Sequence, residues 1–209
     1  MNLPNRITVA RLFLAGIFFV FFFDQPLPYF LPGRHSTPYH YTIAFFCFLI
    51  ACVSDWSDGY LARRFNQVTS FGKFWDPIAD KILVMVAWIT LVANQAIPAW
   101  IVVVLLGRDF AVSGLRIVAA EQGMVMAAEA GGKIKTFAQL LTIGIISAHY
   151  ALAVDWGWNV ELPKNSLAWF ECKGLVWFEF WCLYPLCLIT TLYSAWSYFY
   201  RNWGLMKTR

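Results

Sequence analysis

Four aspartates stand in two pairs within a stretch of 26 residues. Asp55 and Asp58 are spaced i, i+3, and Asp76 and Asp80 are spaced i, i+4. If both segments are helical, each pair shares one helix face. Four carboxylates gathered in one place repel each other unless they are protonated or bind cations, and their oxygen atoms suit Mg²⁺, Mn²⁺ or Ca²⁺. The pattern therefore predicts a divalent-metal site that receives a phosphate ester.

Small and basic residues between the pairs fit this interpretation. Gly59 follows Asp58 directly, and Gly72 precedes Asp76 by four residues, so both leave room for a ligand close to the backbone. Arg63 lies near enough to Asp58 to help neutralise a phosphate. Two other interpretations remain open. The aspartates form a proton or ion pathway, or they are ordinary loop charges paired with their basic neighbours Arg63, Arg64, Lys73 and Lys81.

The composition of the chain is that of a membrane protein. Of its 209 residues, 60% are hydrophobic and only 13% are charged, whereas about 25% of residues in a soluble domain are charged. Because so few charges cannot cover a water-soluble globule, the predicted fold is an all-α integral membrane protein. Residues 1–209 are expected to form one transmembrane domain, and no nucleic-acid-binding motif is present.

Six transmembrane helices are predicted from apolar runs of about 20 residues. Four runs are clear, at 7–24, 41–62, 136–154 and 178–200. The uncharged stretch 82–106 fits either one long tilted helix or parts of two helices that meet at a turn in ANQAIPAW. The two-helix interpretation is favoured, because a single helix would put the acidic and basic clusters on opposite sides of the membrane.

The basic residues predict which side of the membrane each segment faces. With six spans, only Arg34, Lys164 and Lys173 lie on one side. By the positive-inside rule, both termini and the four aspartates are then cytoplasmic in a multi-pass protein of the cell (inner) membrane. The thirteen basic residues on the cytoplasmic side are Arg6, Arg11, Arg63, Arg64, Lys73, Lys81, Arg108, Arg116, Lys133, Lys135, Arg201, Lys207 and Arg209.

The spacing D-x2-D-G-x2-A-R-x8-G-x3-D-x3-D, from Asp55 to Asp80, resembles the signature of the CDP-alcohol phosphotransferase family at every fixed position. The segments NLPNRITVAR, DPIADK, GRDFAVSGLR and GKIKTFAQ resemble those of bacterial phosphatidylglycerophosphate synthases, a branch of that family. The resemblance implies transfer of the phosphatidyl group from CDP-diacylglycerol to glycerol 3-phosphate, giving phosphatidylglycerophosphate and CMP. It also implies a homodimer of six-helix subunits.

The resemblance further implies roles for single residues. Two divalent metal ions, Mg²⁺ or Mn²⁺, would be bound by Asp55, Asp58, Asp76 and Asp80, and Asp80 would also act as the general base. The cytidine diphosphate group would be bordered by residues of the signature and of the N-terminal stretch, namely Asn5, Thr8, Asp55, Gly59, Ala62, Arg63 and Gly72.

A glycerol 3-phosphate acceptor is a dianion and needs cations of its own. Arg108 and Arg116 are spaced i, i+8, roughly on one helix face, and guanidinium groups bind phosphate in bidentate fashion. Lys133 and Lys135 flank the start of the fifth predicted span and would close the pocket. In the alternative interpretation, these residues only anchor the chain to lipid phosphates. Asp109 stands where many related synthases have Glu, and it can still orient an arginine.

Two alternative functions remain open from the sequence. The segment GRD also occurs in cardiolipin synthases of the same family, whose acceptor is phosphatidylglycerol. From a different class, an ion-coupled transporter would use membrane carboxylates, but it would be expected to carry them near mid-membrane with broken helices or repeats. Metal-dependent release of CMP from CDP-diacylglycerol separates an enzyme from a transporter.

Overall fold

The computed structural model describes residues 3–23, 38–65, 70–121, 130–158, 162 and 174–201. Some helical residues are described by their backbone alone: 3–8, 55–65, 70–77, 80, 121, 130 and 175. Within the described ranges the chain is helical and has no strand, which confirms the all-α prediction.

Six long helical segments make up this part of the chain. They are α1 (Leu3–Phe22), α2 (His40–Phe65), α3 (Ser70–Ala93), α4 (Ala99–Glu121), α5 (Ala130–Tyr150) with a π-helical turn at Ala151–Asp155, and a composite last segment. The last segment begins with the short α6 (Leu175–Phe178), passes through a π-helical turn at Glu179–Leu183 and continues as α7 (Tyr184–Arg201).

The uncharged stretch 82–106 belongs to two helices, as favoured from the sequence. α3 ends at Ala93 and α4 begins at Ala99. Between them Gln95 has a φ of 58°, the left-handed conformation typical of a turn. Pro98 directly precedes α4, where a residue without an N–H group costs no helical hydrogen bond. The local chemistry of this segment therefore explains the break.

Hydrogen bonds gather several helix termini at one end of the bundle. The Tyr150 hydroxyl, at the end of α5, donates to the Asn94 carbonyl at 3.1 Å. The Tyr184 hydroxyl, at the start of α7, donates to the Ala96 carbonyl. The Asn94 side-chain amide donates to the carbonyl of Phe22 at the end of α1, at 2.5 Å. The α3–α4 turn is therefore fixed by three other helices.

The start of α2 joins the same end. Asp155, in the π-helical turn after α5, accepts hydrogen bonds from the backbone N–H and the hydroxyl of Thr42, at 2.6 and 2.7 Å. The first N–H groups of a helix have no partner within the helix, so this carboxylate caps α2 from another segment.

Successive long helices run in opposite directions between the two ends of the bundle. The opposite end therefore contains the first halves of α1, α3 and α5 and the second halves of α2, α4 and α7. We call it the site end.

A buried hydrogen bond links the last two long segments. His149 Nδ1 lies 2.8 Å from Glu179 Oε1, and each residue is 3% exposed. His149 is near the end of α5, and Glu179 begins the π-helical turn before α7. Because a buried polar group is costly without a hydrogen-bond partner, this contact fixes the two segments relative to each other.

The helices present apolar side chains outward as well as inward. The buried core includes Phe18, Phe48, Trp88 and Leu105. Soluble monomers rarely expose large contiguous apolar surfaces, so the outward side chains indicate a lipid environment. Each long helix contributes at least one large hydrophobic residue that is exposed in the structure: Phe13, Phe46, Ile89, Val103, Phe137 and Trp196.

Two helical stretches in the described residues are long and apolar enough to cross a membrane, Gly131–Asp155 and Val176–Arg201. Three shorter apolar helices are Val9–Phe22, His40–Ser54 and Lys81–Ala93. These five stretches overlap five of the six predicted spans. Together with the exposed apolar faces, they indicate a helical membrane protein.

Candidate active site

The four aspartates lie on two consecutive helices at the site end. Asp55 and Asp58 are in the second half of α2, and Asp76 and Asp80 are in the first half of α3. Each pair therefore shares a helix face, as the spacing predicts. The contacts of these four side chains lie outside the described part of the structure, so the metal site itself stays a prediction.

The residues predicted to border the cytidine diphosphate lie on three helices at the same end. α1 packs against both α2 and α3, so the fold brings these helices side by side. The side chains of this group are likewise outside the description. Asn5 and Thr8 are in the first half of α1. The last two turns of α2 carry Gly59, Ala62 and Arg63, and the first turn of α3 carries Gly72.

A cluster of charged side chains joins α4 and α5. Arg108 Nη1 lies 3.2 Å from Asp109 Oδ1, and Lys135 Nζ forms an ion pair with the same oxygen. The Arg108 side chain is 12% exposed and the Lys135 side chain 6%. Because largely buried charges are costly unless they are paired, Asp109 is the counter-ion that allows the two cations to lie close together.

α7 holds both arginines of α4. Arg108 Nη2 donates to Ser194 Oγ at 2.5 Å, and Arg116 Nε donates to the Tyr198 hydroxyl at 3.0 Å. The guanidinium carbon of Arg116 also lies 5.4 Å from the centre of the Tyr198 ring. Arg108 Nε is buried and has no hydrogen-bond partner among the described residues. Since an unpaired buried donor is unfavourable, a bound anion would satisfy this N–H group.

Two hydrogen bonds connect the cluster at Asp109 to α3, the helix that carries Asp76 and Asp80. Lys81 Nζ donates to Ser113 Oγ at 2.7 Å, and Ser113 Oγ donates to the Asp109 carbonyl at 2.7 Å. Lys81 follows Asp80 directly on α3, and Ser113 lies on α4 between the two arginines. The acidic segment of α3 and the basic segment of α4 are therefore neighbours.

Of the four predicted acceptor-binding cations, the structure brings two together and holds a third against α7, the helix that also holds one of the first two. Arg108 and Lys135 meet at Asp109, and Arg116 is held by the same helix, α7, that holds Arg108. Lys133 is exposed and does not join them. Residues two apart on a helix point about 200° apart, so the inward direction of Lys135 turns Lys133 outward.

Ser194 and Tyr198 are not among the candidate residues predicted from the sequence. The two residues lie four apart on α7 and share a face, and they are 1% and 2% exposed. The only sequence signal was a serine and a tyrosine at this spacing in an apolar helix. That pattern is too common to indicate arginine partners on α4.

The candidate metal ligands remain the four aspartates. Among the residues whose side chains are described, no group of three or more His, Cys, Asp or Glu side chains could hold a metal ion, and the aspartates are not among those residues. Their side chains suit divalent metal ions, because four carboxylates, two on each of two consecutive helices, supply the oxygen ligands that Mg²⁺ and Mn²⁺ prefer.

Comparison with known proteins adds independent evidence. A family model for CDP-alcohol phosphatidyltransferases matches residues 1–177. A Bacillus subtilis (strain 168) protein named "CDP-diacylglycerol--glycerol-3-phosphate 3-phosphatidyltransferase" is 39% identical over 99% of this chain and 98% of its own length. Proteins with the same name from Pseudomonas fluorescens and Mycoplasma genitalium are 37% and 33% identical, over 100% and 96% of this chain and 93% and 82% of their own lengths. The predicted family is confirmed, and the chain belongs to the CDP-alcohol phosphatidyltransferase family.

Proposed function

We propose that this protein transfers the phosphatidyl group of CDP-diacylglycerol to glycerol 3-phosphate, releasing CMP and forming phosphatidylglycerophosphate in phospholipid biosynthesis. The observation that carries the proposal is the cluster in which Arg108 and Lys135 meet at Asp109. Through Ser113 and Lys81 this cluster adjoins the turn of α3 that carries the predicted base. The names of relatives that match nearly the whole chain support the same reaction.

The phosphate of glycerol 3-phosphate binds Arg108, Arg116 and Lys135. A dianion needs several cations to neutralise it, and guanidinium groups can each offer two parallel N–H donors. The Nε group of Arg108 is a buried donor that the described residues leave unpaired. Asp109 keeps two of the cations in place before the acceptor arrives and shares them with its phosphate afterwards.

The CDP group of the donor lies where the first half of α1, the end of α2 and the start of α3 come together. Asp55, Asp58, Asp76 and Asp80 would hold two divalent ions, Mg²⁺ or Mn²⁺, whose charge would neutralise the pyrophosphate and favour CMP as a leaving group. The residues that border the nucleotide are those implied by the resemblance to the family: Asn5, Thr8, Asp55, Gly59, Ala62, Arg63 and Gly72.

Asp80 acts as the general base. It accepts the proton of the attacking glycerol 3-phosphate hydroxyl, whose oxygen forms a bond to the phosphorus of the phosphatidyl group. The bond from that phosphorus to the oxygen of CMP breaks in the same displacement. The neighbouring residue Lys81 contacts α4, the helix that carries the acceptor arginines, so the acceptor is held next to the base and reacts with the advantage of proximity.

The enzyme spans the cell (inner) membrane six times, with both termini and the active site on the cytoplasmic side. The unequal distribution of basic residues supports this orientation, and the collection of the motif segments at one end of the bundle agrees with it. The acyl chains of CDP-diacylglycerol stay in the lipid while its head group enters the site end. The homodimer rests on the resemblance to the family.

A CMP-release assay tests this function. Purified protein is mixed with CDP-diacylglycerol and Mg²⁺, and CMP is measured with glycerol 3-phosphate, with phosphatidylglycerol and without an acceptor. We expect release only with glycerol 3-phosphate. Release only with phosphatidylglycerol would keep the family but overturn the acceptor. No release with either alcohol, under Mg²⁺ or Mn²⁺, would contradict a transferase and favour a transporter.

A further inference from the structure

The two arginines of the acceptor pocket are held by a helix that lies beyond the family match. The family model covers residues 1–177, whereas Ser194 and Tyr198 are on α7. We propose that α7 completes the acceptor pocket. Ser194 and Tyr198 are positioning residues that fix Arg108 and Arg116, so that both guanidinium groups bind one phosphate monoester. This inference rests on the acceptor site of the proposed function.

Helix geometry explains why the arginines need partners outside their own helix. Eight residues along α4 separate the backbones of Arg108 and Arg116 by about 12 Å, whereas four residues along α7 separate their partners by about 6 Å. Long side chains on a helix lean toward its N-terminus, so Tyr198 leans toward Ser194. Hydrogen bonds to partners about 6 Å apart therefore favour guanidinium groups that lie closer together than the backbones of the two arginines.

Ser194 of α7 lies where this helix meets α4 and α5, the two helices that carry the cations of the pocket. A Cβ atom built on Gly131 of α5 would lie 3.6 Å from both Cβ and Oγ of Ser194. Lys135 is four residues after Gly131, on the same face of α5. The serine that accepts from Arg108 is therefore packed against the helix that supplies the lysine of the pocket, and its position is fixed by buried contacts.

Tyr198 offers Arg116 two kinds of contact. Its hydroxyl accepts from Nε at 3.0 Å, and its ring lies 5.4 Å from the guanidinium carbon, within the range of a cation–π interaction. Arg116 is itself exposed, so without this partner its long side chain would lose more freedom on binding a ligand. The contact with α7 therefore removes part of the conformational-entropy cost of ordering Arg116 before the acceptor arrives.

The test measures the KM for glycerol 3-phosphate separately from kcat and from the KM for CDP-diacylglycerol. Ser194→Ala removes one hydrogen bond to a charged group, and we expect the acceptor KM to rise by about tenfold. Tyr198→Phe keeps the ring and should raise it less than Tyr198→Leu, which removes both contacts. The KM for CDP-diacylglycerol should stay within about twofold, and the melting temperature should not change in parallel with the acceptor KM.

Matched variants on α7 control for general effects. Thr190→Val removes a hydroxyl that donates to the Leu186 carbonyl of its own helix, and Tyr200→Phe removes a hydroxyl from a side chain that is 74% exposed. Neither should change the acceptor KM. If Ser194→Ala folds poorly, Ser194→Cys keeps the shape that packs on α5 and leaves only a weak acceptor, so it should also raise the acceptor KM.

Unchanged acceptor KM values in Ser194→Cys and Tyr198→Leu would overturn the inference. Parallel rises in the KM values of both substrates would also overturn it, because they would show a general structural role. Arg108→Ala and Arg116→Ala separate this inference from the proposed function. If these two variants leave the acceptor KM unchanged, the acceptor site itself is wrong; if they raise it and the α7 variants do not, only the role of α7 fails.

Discussion

The substitution Lys135→Met tests the acceptor site at its most buried cation. The Lys135 side chain is 6% exposed and pairs with Asp109, which also keeps Arg108 at 3.2 Å. Methionine fills a similar volume without a charge. Breaking a buried pair costs about 3–5 kcal/mol when the remaining charge has no partner. Asp109 retains one cation, so we expect a loss of about 1–2 kcal/mol in the free energy of unfolding, below that range.

The effect on the acceptor should be larger and selective. Losing one charge-assisted contact to the phosphate costs about 1.5–3 kcal/mol, which corresponds to a roughly 10- to 100-fold higher KM for glycerol 3-phosphate. The assay follows CMP release against glycerol 3-phosphate concentration at saturating CDP-diacylglycerol. Lys133→Met is the matched comparison, because the same change is made two residues away at an exposed position; we expect less than about a twofold effect. Equal KM values for Lys135→Met and the unmodified protein would refute the site.

Three further predictions follow from other parts of the molecule. Asp80→Asn should lower CMP release by about 10²- to 10⁴-fold, as expected for loss of a general base; activity within about tenfold of the original would reject this role. Glu179→Ala leaves His149 buried without this hydrogen-bond partner and should cost about 1–3 kcal/mol of stability, measured by thermal unfolding in detergent. A smaller loss is expected when both residues are replaced by leucine, and an equal loss would argue against the pair. Asp155→Ala removes the cap of α2 and should cost about 0.5–2 kcal/mol without changing the acceptor KM, since the cap lies at the end remote from the site.

The sequence predicts the helices well where the local chemistry is decisive. The break between α3 and α4 is explained by Pro98 and by Gln95, whose backbone has the left-handed conformation in a polar turn. The i, i+3 and i, i+4 aspartate pairs fall on α2 and α3 because their spacing and the flanking apolar runs both favour helix. These features depend on residues that are close together in the sequence, so they can be predicted from the sequence of this chain alone.

Contacts between distant helices could not be predicted in the same way. The charge of Lys133 and Lys135 marks both as candidates, but only the direction of α5 in the bundle decides that Lys135 faces Asp109. The partners of the arginines, Ser194 and Tyr198, depend on how α4 packs against α7. Tertiary packing sets these relations, and they leave no periodic signal in the sequence.

The proposed reaction joins a phosphatidyl group to glycerol 3-phosphate. The most direct measurement supplies isotope-labelled glycerol 3-phosphate with CDP-diacylglycerol and Mg²⁺, and identifies the lipid product by mass while CMP is quantified. We predict labelled phosphatidylglycerophosphate and one CMP for each molecule of lipid formed. CMP without labelled lipid, or labelled glycerol 3-phosphate that never enters the lipid fraction, would rule this reaction out.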